Sequence, residues 1–147
     1  MDLRTICSRY ALCISVQKFE QLPNYVHNDV LYDSKPPMTA HEFGQMLDGL
    51  IRDWVDFRLD VDMLVVEPSG ASSHLNGMVS ARFRLSHETP SEKAAEGRVV
   101  FYEHVFFNFQ EGKIAQEETN ARVKLFHICE PRCSILPYIS NFGGQIL

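Results

Sequence analysis

The chain is 147 residues long, 45% hydrophobic and 22% charged, a composition that suits one globular domain and excludes a fibrous or disordered chain. Its formal charge is -5 and it shows no basic stripe, which excludes a phosphate-binding surface and with it a nucleic-acid partner. No run reaches the roughly 18 to 20 apolar residues that a membrane span requires.

Leu3, Ile6, Tyr10, Ile14 and Val16 recur at helical spacing, which predicts an N-terminal helix of about four turns. Asp2, Arg4, Arg9, Gln17 and Lys18 interrupt the apolar stretches, so the segment reads as an amphipathic helix and not as a signal peptide. A cytoplasmic chain is expected, and its cysteines Cys7, Cys13, Cys129 and Cys133 then read as reduced thiols. Pro131 separates the last two, and no second pair has ligand spacing, so no metal site is expected.

Phe19 to His27 is a short segment in which Pro23 suits a break or the first turn of a second helix. Asp29 to Asp33 reads as a brief strand stopped by Ser34-Lys35-Pro36-Pro37. Thr39 and Glu42 form a capping box ahead of a helix with the stripe Phe43, Met46, Leu47, Leu50, Ile51 and Trp54, ending near Asp53 to Asp56. From Arg58 the period becomes two, with Leu59, Val61, Met63 and Val65 on one face, until Pro68-Ser69-Gly70 turns the chain.

His74 to Leu85 is the next strand, with Leu75, Val79, Ala81, Phe83 and Leu85 on one side, and Ser86 to Gly97 reads as a loop. Arg98 to Phe109 and Ile114 to Phe126 are strands joined by Gln110-Glu111-Gly112-Lys113, where Gly112 accepts a positive φ. Helices followed by antiparallel strands define an α+β fold. One domain spans 1–147, and 128–147 is an irregular C-terminal extension.

The last hairpin carries the most informative face. With Glu111-Gly112 as a two-residue turn, Phe109 faces Ile114, Phe107 faces Gln116, Val105 faces Glu118 and Glu103 faces Asn120. This face is apolar near the turn and polar away from it. A carboxylate among aromatic side chains must find a partner or raise its pKa, so Glu103, Glu118 and Asn120 form the preferred site group. A one-residue slip would transfer the polar role to Tyr102, His104, Asn108, Glu117 and Thr119. Of these His104 is the most useful acid–base type. Arg82 and Arg84, sharing a face with His74 and Ser80, form a row that could bind a carboxylate or oxyanion, or simply meet solvent. Asp56, Asp60 and Asp62 read as solvated. Tyr32 and Asp33 end the first strand at a possible pocket mouth, with Trp54 and Phe107 as apolar wall.

The segment Val99-Val100-Phe101-Tyr102-Glu103-His104-Val105-Phe106-Phe107-Asn108-Phe109-Gln110-Glu111-Gly112-Lys113-Ile114 resembles the penultimate strand and turn of the SnoaL-like family. Its Glu-His-Val-Phe piece looks most like the fungal branch, small enzymes of polyketide and meroterpenoid biosynthesis. Asn28 to Asp33 resembles that family's first strand, and the order of elements agrees over roughly residues 1 to 126. The resemblance implies an NTF2-like cone: a curved antiparallel sheet on three helices, enclosing a pocket, in a homodimer without metal or organic cofactor. Relatives carry a Trp where this chain has Glu118 and an Asp where it has Arg122, so the acid has moved.

The expected function is cofactor-independent acid–base chemistry on a polycyclic, oxygenated small molecule: isomerisation, cyclisation or ring rearrangement. Glu103, Glu118 and His104 are the expected catalytic groups, with Asn120, Tyr32, Asp33, Phe107, Trp54 and Arg82 binding substrate. Epoxide opening or dehydration in the same pocket is one alternative, and the former needs Arg82 or Arg84 facing inward. A non-catalytic ligand-binding or dimerisation module is the other.

Overall fold

Asp2 opens the first helix, α1 (Leu3–Ser15), its carboxylate accepting the Thr5 N–H at 2.8 Å and satisfying one of the free donors of the first turn. The computed structural model describes residues 1–70, 74–88 and 98–128, with 120–128 as backbone. The buried stripe of α1 is Leu3, Ile6, Cys7, Tyr10, Ala11, Cys13 and Ile14. Gln17 reverses the chain at φ 57, and a 3-10 turn over Phe19–Asn24 leads into strand β1 (Val26–Tyr32).

The predicted capping box is present. Thr39 Oγ1 accepts the Glu42 N–H at 3.1 Å, and the Glu42 carboxylate accepts the Thr39 N–H at 2.7 Å. They open α2 (Ala40–Ile51). The helix stops at Ile51, so Trp54 lies beyond it and not in its stripe.

Four long strands follow: β2 (Val55–Pro68), β3 (Gly77–Glu88), β4 (Arg98–Gln110) and β5 (Lys113–Ile128). The sheet order is β1-β5-β4-β3-β2. Strands β2 to β5 are antiparallel, but β1 runs parallel to β5. The sheet is therefore mixed, curved and unclosed, packed against the N-terminal helices as an α+β cone. Because β1 and β2 sit on opposite edges, the chain between them carries α2 from one side of the sheet to the other. Strand β3 continues through Ser86 to Glu88, where the polar composition predicts a loop. Cys129, Cys133 and the extension beyond Ile128 lie outside the described residues.

Two strands break the simple alternation. In β2, Val61 pairs with Phe83 and Met63 with Arg82, leaving Asp62 unopposed. Such a bulge inverts the faces beyond it. Met63 and Val65, expected inside, are exposed, and Leu64 and Val66 pack against the core instead. In β5 the hairpin starts as expected, with Phe109 opposite Ile114, but the next pair is Asn108 with Gln116. The unopposed residue is Ala115. From there Phe107 faces Glu117 and Phe106 faces Glu118, so Glu117 turns inward and Glu118 outward. A second irregularity leaves Asn120 unopposed between the pairs Val105–Thr119 and His104–Ala121.

The β4–β5 turn uses two left-handed residues, Glu111 at φ 51 and Gly112 at φ 78, whose twist matches that of the flanking strands. Its amides are satisfied by the preceding loop. Glu111 N–H donates to Asn76 Oδ1 at 2.6 Å and Gly112 N–H to the Leu75 carbonyl at 2.8 Å.

Gly77 opens β3 at φ 152, and a Cβ there would lie 2.9 Å from Pro68 Cα and collide with the Glu67 carbonyl. Replacing Gly77 with alanine should therefore cost about 2 kcal/mol or more, since backbone strain of this kind is typically about 1 to 3 kcal/mol before the collision is added. Urea unfolding should show a lowered midpoint for Gly77→Ala, whereas Gly49→Ala, where a Cβ meets nothing within 4 Å, should be neutral or stabilising.

Candidate active site

Glu117 is 7% exposed, a carboxyl inside a core of aromatic and aliphatic side chains. The bulge at Ala115 aims it there. From α1, the fully buried Tyr10 hydroxyl donates to Glu117 Oε2 at 2.6 Å, a bond that joins the first helix to the last strand. Phe107, opposite Glu117 on β4, packs edge-on against the Tyr10 ring, with centroids 5.6 Å apart. The helix register thus delivers a hydroxyl to the point where the strand delivers a carboxyl.

Above this pair lies a cavity of about 100 Å³. Tyr10 and Ile14 of α1, Leu47, Leu50 and Ile51 of α2, and Tyr32 of β1 line it on the helical side. The sheet contributes Phe57, Leu59, Phe83, Leu85, Glu103 and Glu117, and Trp54 stands just before β2. Every strand and both helices therefore reach the pocket. Trp54 is held by stacking on His87, with centroids 4.7 Å apart and planes 15° apart, and by the edge of Phe101.

Burial drives the electrostatics. Removal from water pushes the Glu117 carboxyl up to about 8. The Tyr10 hydrogen bond works in the opposite direction, and the negative charges of Glu103 and Asp33 add to the rise. Tyr10 is pushed well above its ordinary range by burial and then by Glu117. Tyr32 is raised for the same two reasons, while a hydrogen bond with the Thr119 side chain opposes the rise. Cys7, buried beneath the pair, is pushed up to about 12, so it is a protonated, inert thiol. The arrangement is an acid that keeps its proton at neutral pH, with a second carboxyl, Glu103, in the same pocket.

The structure brings together Glu103, Tyr32 and Trp54 of the residues expected from the sequence. It does not bring Glu118, which is exposed and accepts a hydrogen bond from Gln116 at 2.6 Å. The Ala115 bulge shifts β5 by one residue against β4, so the inward carboxyl is Glu117. His104 is exposed on the outer face. Arg82 is there too, paired with Asp62 and lying over the Tyr102 ring, and Arg84 pairs with Asp60 at 3.7 Å. Asp60 and Asp62, expected to be solvated, thus have arginine partners, and Asp56 pairs with Arg58 and Arg98. Phe107 is fully buried behind Tyr10 and does not line the cavity. Asp33 is exposed beside the pocket and bonded to Thr119 N–H. The Asn120 side chain lies outside the described part. Tyr10 was missed because it sits in an otherwise aliphatic helical stripe. Its hydroxyl was the available signal, since a buried Tyr O–H requires a partner. Among the described residues, no cluster of His, Cys, Asp or Glu could hold a metal ion, and no helix is long and apolar enough to cross a membrane.

The sequence matches no protein-family model and no curated protein. Solved structures do match. A SnoaL-like polyketide cyclase from Agrobacterium tumefaciens superposes with a TM-score of 0.65 at 24% identity, over 82% of this chain and 91% of that one. IdmH, a proposed polyketide cyclase from Streptomyces antibioticus, gives 0.64 at 10% identity over 82% and 91%. TsrD from Streptomyces laurentii gives 0.61 at 15% identity over 80% and 85%. The chain has the SnoaL-like, NTF2-like fold.

The raised Glu117 pKa has a consequence for stability. Below about pH 4.5, the ordinary value, this carboxyl is protonated in both folded and unfolded chains. Between there and about 8 the unfolded chain loses the proton first, so the group's contribution to stability falls as pH rises through that window. Glu117→Gln removes the titration and keeps an acceptor for Tyr10. Urea unfolding should find the variant close to the native protein at pH 4 and more stable at pH 9, by on the order of 5 kcal/mol.

Proposed function

We propose that this protein is an acid–base enzyme that isomerises or cyclises a polycyclic, oxygenated small molecule, of the polyketide or meroterpenoid kind made in fungal secondary metabolism. The observation that carries this reading is the buried Glu117–Tyr10 pair facing an apolar pocket that also holds Glu103. The similarity of fold to polyketide cyclases supports the substrate class, although fold alone does not assign chemistry.

In this reading Glu117 enters the reaction protonated and donates to a carbonyl oxygen of the substrate. Glu103 removes a proton from carbon beside that carbonyl. Losing its proton leaves Glu117 as a buried anion, and the Tyr10 hydroxyl at 2.6 Å is already placed to stabilise it. That bond strengthens as charge develops, which is where a catalytic interaction is most effective. Tyr32 holds the substrate oxygen, and Trp54, Phe57 and Phe83 enclose the ring system. The proton removed from carbon and the proton delivered to oxygen balance, so the net reaction is an isomerisation or ring closure, and return of the proton from Glu103 to Glu117 through water resets the pair. The chemistry draws on the chain's own side chains. Epoxide opening loses the arginine it required, because Arg82 and Arg84 pair with aspartates on the outer face. We further propose that the active form is a homodimer, which sedimentation would test.

Turnover of a panel of polycyclic polyketide and meroterpenoid intermediates provides the test. Glu117→Gln should lose about 10² to 10⁴-fold in kcat/KM, the usual worth of a positioned acid or base. Glu103→Gln should lose at least about tenfold, and Glu118→Gln should be unchanged. Native-like turnover in Glu117→Gln would end this reading, and tight binding without turnover by the native protein would point to a ligand-binding module.

A further inference from the structure

Strand β1 leaves the sheet at Asp33, immediately after the pocket residue Tyr32. Its φ of 48 is left-handed, a conformation that most side chains avoid and that Asp and Asn adopt more readily than others. In that conformation Asp33 reaches β5 twice. Its N–H donates to the Glu117 carbonyl at 2.9 Å, and its carboxylate accepts the Thr119 N–H at 2.7 Å. One residue thus holds the backbone on both sides of Glu118.

The position of this grip matters. The stretch from Gln116 to Thr119 lies between the irregularities at Ala115 and Asn120, each of which interrupts the ladder and bends the strand. On its other side its neighbour is the end of β1, registered through Leu31–Gln116 and Tyr32–Glu117. The short stretch that carries Glu117 is therefore held by Asp33 between two bulges.

We propose that Asp33 is a positioning residue, whose double hydrogen bond to the backbone of Glu117 and Thr119 holds the Glu117 carboxyl in the pocket within reach of Tyr10. This rests on the reading of Glu117 as the acid. It also replaces the expectation that Asp33 binds substrate, because its carboxylate is engaged by Thr119 and does not line the cavity. The titratable groups that surround Glu117 are Tyr10 and Cys7 from α1, Tyr32 and Asp33 from β1, and Glu103 from β4.

Two variants isolate the grip. Asp33→Asn and Asp33→Gly both remove the negative charge, and both residues tolerate a left-handed φ. Only Asn retains a side-chain oxygen for the Thr119 N–H. In the ligand-free protein, with the side-chain carboxyl carbons of glutamate isotopically labelled, the Glu117 resonance is followed against pH by NMR. The Thr119 amide exchange rate is measured on the same samples. We expect Asp33→Asn to keep slow Thr119 exchange and a single Glu117 resonance. In Asp33→Gly, exchange should be at least about tenfold faster, and Glu117 should titrate at lower pH than in Asp33→Asn as water reaches the carboxyl.

With any substrate that the native protein turns over, Asp33→Gly should lower kcat about tenfold to a hundredfold, the scale of a small misplacement of a catalytic group. KM should stay within a few-fold, and Asp33→Asn should restore most of the rate. Identical Glu117 titration and Thr119 exchange in the two variants would overturn the proposal, whatever turnover shows. Failure of the acid assignment itself would appear elsewhere, as native turnover in Glu117→Gln, so the two ideas are separable.

Discussion

Taking a carboxyl group out of water costs several kcal/mol if it stays ionised, and the pocket is organised around how that cost is met at Glu117. The proton is retained to about pH 8, and the Tyr10 hydroxyl supplies a short hydrogen bond from across the core. That bond needs α1 to lie on the sheet in one rotational setting, because a turn of one residue along the helix would remove the hydroxyl. It also needs β5 in its bulged register. Helix docking, strand register and site chemistry are therefore coupled through one contact, with Phe107 packed behind the ring that makes it.

The two faces of the sheet handle charge in opposite ways. On the outer face Asp56, Asp60 and Asp62 meet Arg98, Arg84 and Arg82. These pairs are partly exposed, where ion pairing contributes little to stability. They keep cations on the side away from the pocket. On the inner face the same strands present Phe57, Leu59, Phe83 and Leu85, so the buried Glu117 carboxyl sits in surroundings of low polarity, with the charge of Glu103 adding to the rise in its pKa. Strand alternation alone separates these environments by the thickness of the sheet.

Much of the fold was legible along the chain because its cues are local. Thr39 and Glu42 announce a capping box, Glu111-Gly112 a tight turn, and Leu3 through Ile14 a helix stripe. Each depends on residues within a few positions of one another, so sequence spacing suffices. The β4 side of the candidate pocket was legible for the same reason: Phe101, Glu103, Val105, Phe107 and Phe109 do share one face, and Glu103 does line the pocket. The β5 half failed at one residue. A bulge at Ala115 leaves no mark in an alternating pattern, since Ala115 is small and fits either face, and it exchanged Glu118 for Glu117.

What the sequence determined by itself was the order and type of the elements, the SnoaL-like resemblance and the presence of a carboxyl on the inner face of the last hairpin. Those follow from short-range propensity and period, which are properties of contiguous residues. Only the tertiary structure decided which glutamate that partner strand contributes, that Tyr10 would meet it, and that Arg82, Arg84 and His104 would face outward. These outcomes depend on pairing across more than a hundred residues of chain and on the positions of bulges in β2 and β5. No local pattern encodes where a bulge falls, because shifting one strand by one residue preserves its composition and inverts its faces.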